Sequence, residues 1–418
     1  MLDSQTLLRD RIEWLYLIMI LGILFSLNLY SKYLDYLEFK NDILHETGAT
    51  VINIYHKENQ NILRLKTPNF EVFTSSKENL AQNDNIQITL ITHDITFQDY
   101  LSGFLTKSFG IEKLDNNNFS ISAFLSSQIS AQHQNQTMSM LYNALFLAVP
   151  PSKELREFFN GYGMSHLIAI SGYHLGVLSV IMYFIFNTLY SPIHQKYLPY
   201  RNKKYDILLV TIFILFCYLI LIDLVASFLR SFIMFVFGVI MLRSNIKILS
   251  FETLFITVLF ILTFFNEYIF SVSLWFSVAG VFYIFLFLTY YQNINKYLLF
   301  FLFNFWIYLA VNPITQYFFG AVSLYQLLSP FLSLVFTAFY PLSLLLHFVG
   351  FGDIFDSYIL MWLDFKIPTI ELFASLYFII PYIALSIYAI WSVIAFRIVE
   401  ASFVGFNLWL FITLLNFS

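Results

Sequence analysis

The sequence predicts a polytopic α-helical membrane protein carrying one small β-barrel outside the bilayer. Of its 418 residues, 59% are hydrophobic and only 11% charged, against roughly 25% charged in an ordinary soluble domain. The mean hydropathy is +0.71, and apolar runs of about 20 residues, the length that crosses a bilayer, recur through most of the chain. One long polar block, 38–115, interrupts them. Large soluble catalytic modules are thereby excluded. The net charge of −4 argues against a broadly basic surface, and the single cysteine, Cys217, excludes disulfide frameworks and CxxC metal sites within the chain.

The first apolar segment, Ile12 to Tyr30, follows Arg9 and Arg11 and leads into Lys32 and Asp35 rather than a small-residue cleavage site, so residues 1–37 read as a retained anchor. In 38–115, period-two alternation in Leu63-Arg64-Leu65-Lys66 and Ile86-Gln87-Ile88-Thr89-Leu90, with turn residues at Thr67-Pro68-Asn69 and Asn83-Asp84-Asn85, predicts several short strands. That block holds seven Lys and Arg against eleven Asp and Glu, and so carries the whole negative excess. Residues 116–163 read as polar and amphipathic linker helices. Within them Leu141 to Val149 is apolar but too short to span, and Pro150-Pro151 stops it, which predicts an interfacial or re-entrant segment. From 164 to 418 the runs 165–190, 206–222, 225–242, 249–265, 269–290, 297–312, 315–347, 367–396 and 400–416 follow, giving about ten spans with the anchor.

Short loops rich in Lys and Arg stay cytoplasmic. Arg9 and Arg11, the Lys196-Arg201-Lys203-Lys204 loop, Arg243 with Lys247, and Lys296 fall on one side if turns lie at 223–225 and at Asn266-Glu267. The N-terminus is then cytoplasmic and the β-domain extracytoplasmic. No internal or inverted repeat is found, which weakly disfavours a secondary carrier.

Chemistry concentrates in Gly161 to Gly176, where His166, Ser171 and His174 stand among four glycines at the entrance of an apolar helix. Read as one continuous helix, Gly172 and Gly176 permit close backbone approach. Packing of small residues, polar groups lining a water-filled path, and metal or Ser/His nucleophilic chemistry are three readings; the last lacks an orienting carboxylate and a third ligand nearby. Arg230, seven residues after Asp223, is costly inside a span, so it faces a cavity, snorkels outward, pairs with Asp223, or attracts phosphates. Asp353, Asp356, Asp364, Lys366, Glu371, Arg397 and Glu400 lie at or near loops. No GxxxxGK[ST] occurs, so no ATPase activity is expected.

The stretch His166 to Gly176, H-L-I-A-I-S-G-Y-H-L-G, resembles the motif of the ComEC family of competence proteins, inner-membrane channels for imported DNA. Arg230-Ser231-Phe232-Ile233-Met234 resembles that family's Arg-Ala-x-x-Met element, with Ser231 in place of the usual Ala. Phe270 to Gly280, which contains Ser273 and Ser277, is similar to its Ser-x-x-(Leu/Trp)-x-x-Ser-x-x-Gly region. The resemblance implies N-terminal membrane helices, an OB-fold domain and a multi-span competence domain. It implies passage of single-stranded DNA across the cytoplasmic membrane during natural transformation, along His166, Ser171, His174 and Arg230, with Gly172 and Gly176 for packing and Asp223, Ser273 and Ser277 as secondary candidates. A periplasmic DNA-binding competence protein upstream, and a cytoplasmic helicase or single-stranded-DNA-binding protein, are the implied partners besides the lipid bilayer. Larger members add a metallo-β-lactamase-like domain that degrades one strand; no His-x-His-x-Asp-His run occurs here, so nuclease activity, a catalytic residue, a metal and a cofactor are not expected. The competing reading is a small-molecule or ion transporter with an intramembrane His/Arg site.

Overall fold

The computed structural model describes residues 11–57, 60–76, 78, 80, 84–114, 121–241, 250–291, 294–365 and 367–417. Arg9, Arg243, Lys247 and Lys366, and Asn83 of the second turn, lie outside them. In chain order the elements are α1 (Arg11–Asn41), β1 (Leu44–Lys57), β2 (Gln60–Lys66), β3 (Glu71–Ser76), β4 (Asn85–Ile91), α2 (Phe97–Ser102), β5 (Phe104–Leu105) and β6 (Ser108–Lys113). Helices α3 (Ile121–Ser130), α4 (Gln136–Leu147), α5 (Lys153–Gly161) and α6 (Ser165–Ile168) precede the long α7 (Gly172–Tyr197), α8 (Lys203–Leu221) and α9 (Ala226–Met241). Then follow α10 (Phe251–Phe264), α11 (Val272–Tyr290), α12 (Lys296–Phe318), β7 (Ala321–Val322), α13 (Ser329–Val349), α14 (Asp356–Leu363), β8 (Ile370–Glu371), α15 (Leu376–Tyr388) and α16 (Val393–Phe417).

Six helical segments among the described residues are long and apolar enough to cross a membrane: α1, α7, α8, α11, Leu324–Val349 and α16. The apolar helices α9, α10 and α15 are shorter. The turns expected at 223–225 and Asn266-Glu267 are present, the first with Asp223 and Leu224 at positive φ and the second as a 3-10 turn.

The chain divides into two units. In the first, β1 pairs through its first half with β4 and through its second half with β2, with a bulge between Val51 and Asn53. The six-stranded order is β5-β3-β2-β1-β4-β6, so the ladder does not close into a barrel as expected from the sequence. Its edge strands β5 and β6 are nevertheless successive in the chain. Between them Thr106 N–H donates to Phe73 O and its hydroxyl to Ile91 O, while Lys107 O accepts from Ile91 N–H. Alternation places Leu63, Leu65, Ile86, Ile88 and Leu90 in a core that Tyr36 and Phe39 of α1 also enter, so the anchor helix runs on into the β-domain. Asn28 of α1 donates to the carbonyls of Thr263 and Phe264, and Trp14 meets Phe255, which sets α10 parallel to α1.

In the second unit, α7 and α8 are joined near their basic ends by Tyr190 O–H donating to Asp206, itself ion-paired with Arg201 at 2.6 Å. Helices α11, α12, α15 and α16 form an aromatic bundle in which Tyr283, Trp306, Tyr382, Phe396 and Phe403 are buried. Arg397 and Glu400 lie in the first two turns of α16, close to the loop before it. Glu400 accepts from Trp306 Nε1 at 2.9 Å, from Tyr291 O–H and from Arg397 at 2.7 Å, because a carboxylate among apolar rings needs every donor within reach. The linker segment expected at 141–149 is the buried end of α4, which stops at Leu147 with Ala148 in the left-handed region.

Candidate functional site

The motif from Gly161 to Gly176 is not one helix. Helix α5 stops at Gly161, Gly163 turns the chain at φ +66°, α6 makes a single turn, and Ala169 and Ser171 are extended before α7 begins at Gly172. Hence the reading of this stretch as one continuous helix does not hold: His166 lies on α6 and His174 on α7. The sequence supplied the reason: Ser171 and His174 stand at the N-cap and third position of α7, and Ser171 N–H donates to His174 Nδ1 at 3.1 Å, with the hydroxyl 3.3 Å from the same nitrogen. The imidazole takes the part that Glu or Gln plays in a capping box. Accepting at Nδ1 leaves the His174 hydrogen on Nε2, which is buried without a hydrogen-bond partner, and the ring meets Tyr340 edge to face at 4.5 Å.

Irregular backbone survives at membrane depth only where protein or water satisfies it. Here side chains from other segments do so. Ser329 O–H donates to Gly163 O at 2.9 Å; Gln326 Nε2 donates to Asn160 O at 3.0 Å and to Ala321 O at 2.8 Å; Ser227 O–H donates to Ile170 O at 2.6 Å. Ser165 bonds Asn160. The short β7–β8 pair lies in the connections 319–323 and 367–375. Ser165, His166 and Ala169 are exposed at this break.

Behind this surface sits Arg230, 4% exposed. Its Nε donates to Ser277 Oγ at 2.8 Å, one terminal nitrogen to Ser231 Oγ at 2.7 Å, and the other contacts Met234 Sδ at 3.2 Å. Ser231 O–H passes the bond on to Ser227 O at 3.0 Å. Three separated stretches of sequence therefore meet at one guanidinium: the head of α7, the Arg230–Met234 turn of α9, and Ser277 of α11. No carboxylate among the described residues forms an ion pair with Arg230. Asp223 is exposed in its turn and is not the expected partner.

The expected site residues thus divide. His166 is exposed and Ser171 half-buried, but His174, at 0%, and Arg230 lie beneath the surface, where capping and hydrogen bonding hold them. Gly172 abuts Ser231 and Arg230, whereas Gly176 faces open space and permits no close contact. Ser273 is exposed and Ser277 is Arg230's acceptor. Asn160, Gln326 and Ser329, which hold the break together, and the trio of buried His133 and His347 with partly buried Asp356, carry no signal in the sequence pattern. Asp356 reads as lying at or near a loop; more than 200 residues separate it from His133, and no local spacing joins them. No group of three or more His, Cys, Asp or Glu side chains among the described residues is placed to hold a metal ion.

A helical membrane protein with a small sheet domain, a break between membrane helices and a buried cation stabilised by hydroxyls is the class defined so far. Residues 151–411 match the family model described as Competence protein, and the chain belongs to that competence protein family, to which the motifs at His166 and Arg230 pointed; the family places it in DNA uptake during competence. No curated protein and no solved structure matches the chain.

Proposed function

We propose that the protein is the inner-membrane path for single-stranded DNA during natural transformation. The observation that carries the reading is the exposed break at Ser165, His166 and Ala169, inside the motif at the head of α7, in a family of DNA-uptake proteins. A polyanion cannot enter hydrocarbon, so its route must be hydrated, and non-helical backbone lining such a route is the tolerated exception within a bilayer. In this reading His166 and Ser171 border the strand. His174 and Arg230 hold the wall, and Arg230 adds an uncompensated positive charge behind it that favours phosphates.

Helices α9, α10, α12 and α15 complete the six long spans to about ten. In this reading the domains are 1–37, 38–115, 116–163 and 164–418, and the sheet domain is OB-like and periplasmic and receives DNA from a DNA-binding competence protein. A cytoplasmic helicase or single-stranded-DNA-binding protein supplies the pull. The test is localisation of labelled DNA in a deletion strain. DNA that accumulates outside the cytoplasmic membrane while transformation is lost supports the reading; normal transformation overturns it.

A further inference from the structure

In the second unit, three side chains with no part in the proposed path form a continuous chain. Asp356 Oδ2 lies 2.9 Å from His133 Nδ1, His133 Nε2 lies 3.0 Å from His347 Nε2, and His347 Nδ1 lies 2.7 Å from the Ser343 carbonyl oxygen. The His133 side chain is fully buried and the Asp356 carboxylate 13% exposed. Tyr142 of α4 stacks on His133 with ring planes 6° apart and also packs on His347. The neighbouring Gln132 donates to His347 O at 3.1 Å and accepts from Gly352 N–H at 3.0 Å. The segment between α3 and α4 is thus fastened to the end of α13 and the turn leading into α14.

Counting hydrogens decides what this chain holds. The Ser343 carbonyl only accepts, so His347 carries its hydrogen on Nδ1 and, when neutral, offers a lone pair at Nε2. The 3.0 Å contact, an ordinary hydrogen-bond length, then requires a hydrogen on His133 Nε2. The contact with Asp356 requires one more, on His133 Nδ1 or on the carboxyl. Three contacts need three hydrogens, and two neutral imidazoles bring two.

We propose that His133, His347 and Asp356 form a binding site for one proton, held as an imidazolium beside a carboxylate, which fastens the linker helices to the α13–α14 junction. With that proton the cluster is electrically neutral. Without it, one contact sets lone pair against lone pair and a net negative charge stays buried, which burial strongly disfavours. The other titratable group against the trio is Tyr142, whose hydroxyl lacks a partner, as does Asp356 Oδ1; no Lys or Arg among the described residues forms an ion pair with Asp356. A metal ion is the competing occupant, but structural metal sites draw on about four ligands, and no group of three or more His, Cys, Asp or Glu side chains among the described residues is placed to hold one.

Asp356→Asn separates the alternatives, because the amide N–H supplies the third hydrogen without any added proton. Thermal unfolding of the full-length protein in detergent micelles is followed from pH 6 to 9. Above about pH 6.5 unfolded histidines are neutral, so a folded state that keeps one proton loses stability as pH rises, up to tenfold in its folding constant per pH unit. The wild type is expected to show that loss, Asp356→Asn a flatter profile, and His133→Phe a lower midpoint at pH 6. A flat wild type, an unchanged slope in Asp356→Asn, or loss of stability on adding a chelator overturns the proposal. Nitrogen NMR of histidine-labelled wild type reads the site independently of any variant's folding: one imidazolium persisting at pH 8 is expected, and none at that pH contradicts it.

Discussion

Replacing Gly172 with Ala probes the contact at the head of α7. The added methyl would lie 2.5 Å from Ser231 Oγ and 3.2 Å from both Ser231 Cβ and an Arg230 terminal nitrogen. Ser231 cannot retreat freely, since its hydroxyl accepts from Arg230 and donates to Ser227 O. Displacing it forfeits a neutral hydrogen bond of about 1 kcal/mol and a charged one of about 1.5–3 kcal/mol. Against this, Gly→Ala in permissive backbone gains about 0.4–1 kcal/mol. The net is a destabilisation of about 1.5–3.5 kcal/mol. Gly176→Ala, one turn deeper with nothing within 4 Å of the new methyl, keeps only the gain. The assay is thermal unfolding of the full-length protein in detergent micelles, with Ser231→Ala added to Gly172→Ala as a second change. Gly172→Ala should lower the midpoint, Gly176→Ala should hold or raise it, and the double variant should recover part of the loss because the clashing oxygen is gone. Equal midpoints for the two glycine variants would refute the close approach of α7 and α9.

Arg230→Lys keeps the charge but loses the fork that reaches Ser277 and Ser231 together, so transformation frequency and midpoint should both fall; full retention of both means that charge alone matters.

Much of the fold follows from local pattern. Strands β2 and β4 lie where alternation places them because one face of each must be buried, and the turns at Asp223 and Asn266 interrupt apolar runs that could not otherwise reverse. Less visible was the break before α7. Its apolar residues continue through Leu167, Ile168 and Ile170, so hydropathy reads straight across, while Ser171 and His174 as a capping pair mark the true start. Nor does periodicity tell a wetted polar residue from one satisfied by neighbours, and for that reason His174 and Arg230 were grouped with His166. The Asp356–His133–His347 chain joins residues far apart in sequence and leaves no spacing to read.

The proposed path requires the exposed break at His166 to be the route of the strand. Its most direct test places single cysteines at Ser165 and Ala169, and buried controls at His174, in a Cys217→Ser background, and measures reaction with a membrane-impermeant thiol reagent in cells with and without DNA arrested during uptake. The account predicts that Ser165→Cys and Ala169→Cys are labelled and become protected by arrested DNA, while His174→Cys stays unreactive throughout. Labelling at Ser165→Cys and Ala169→Cys that is absent, or that arrested DNA leaves unchanged, would contradict it.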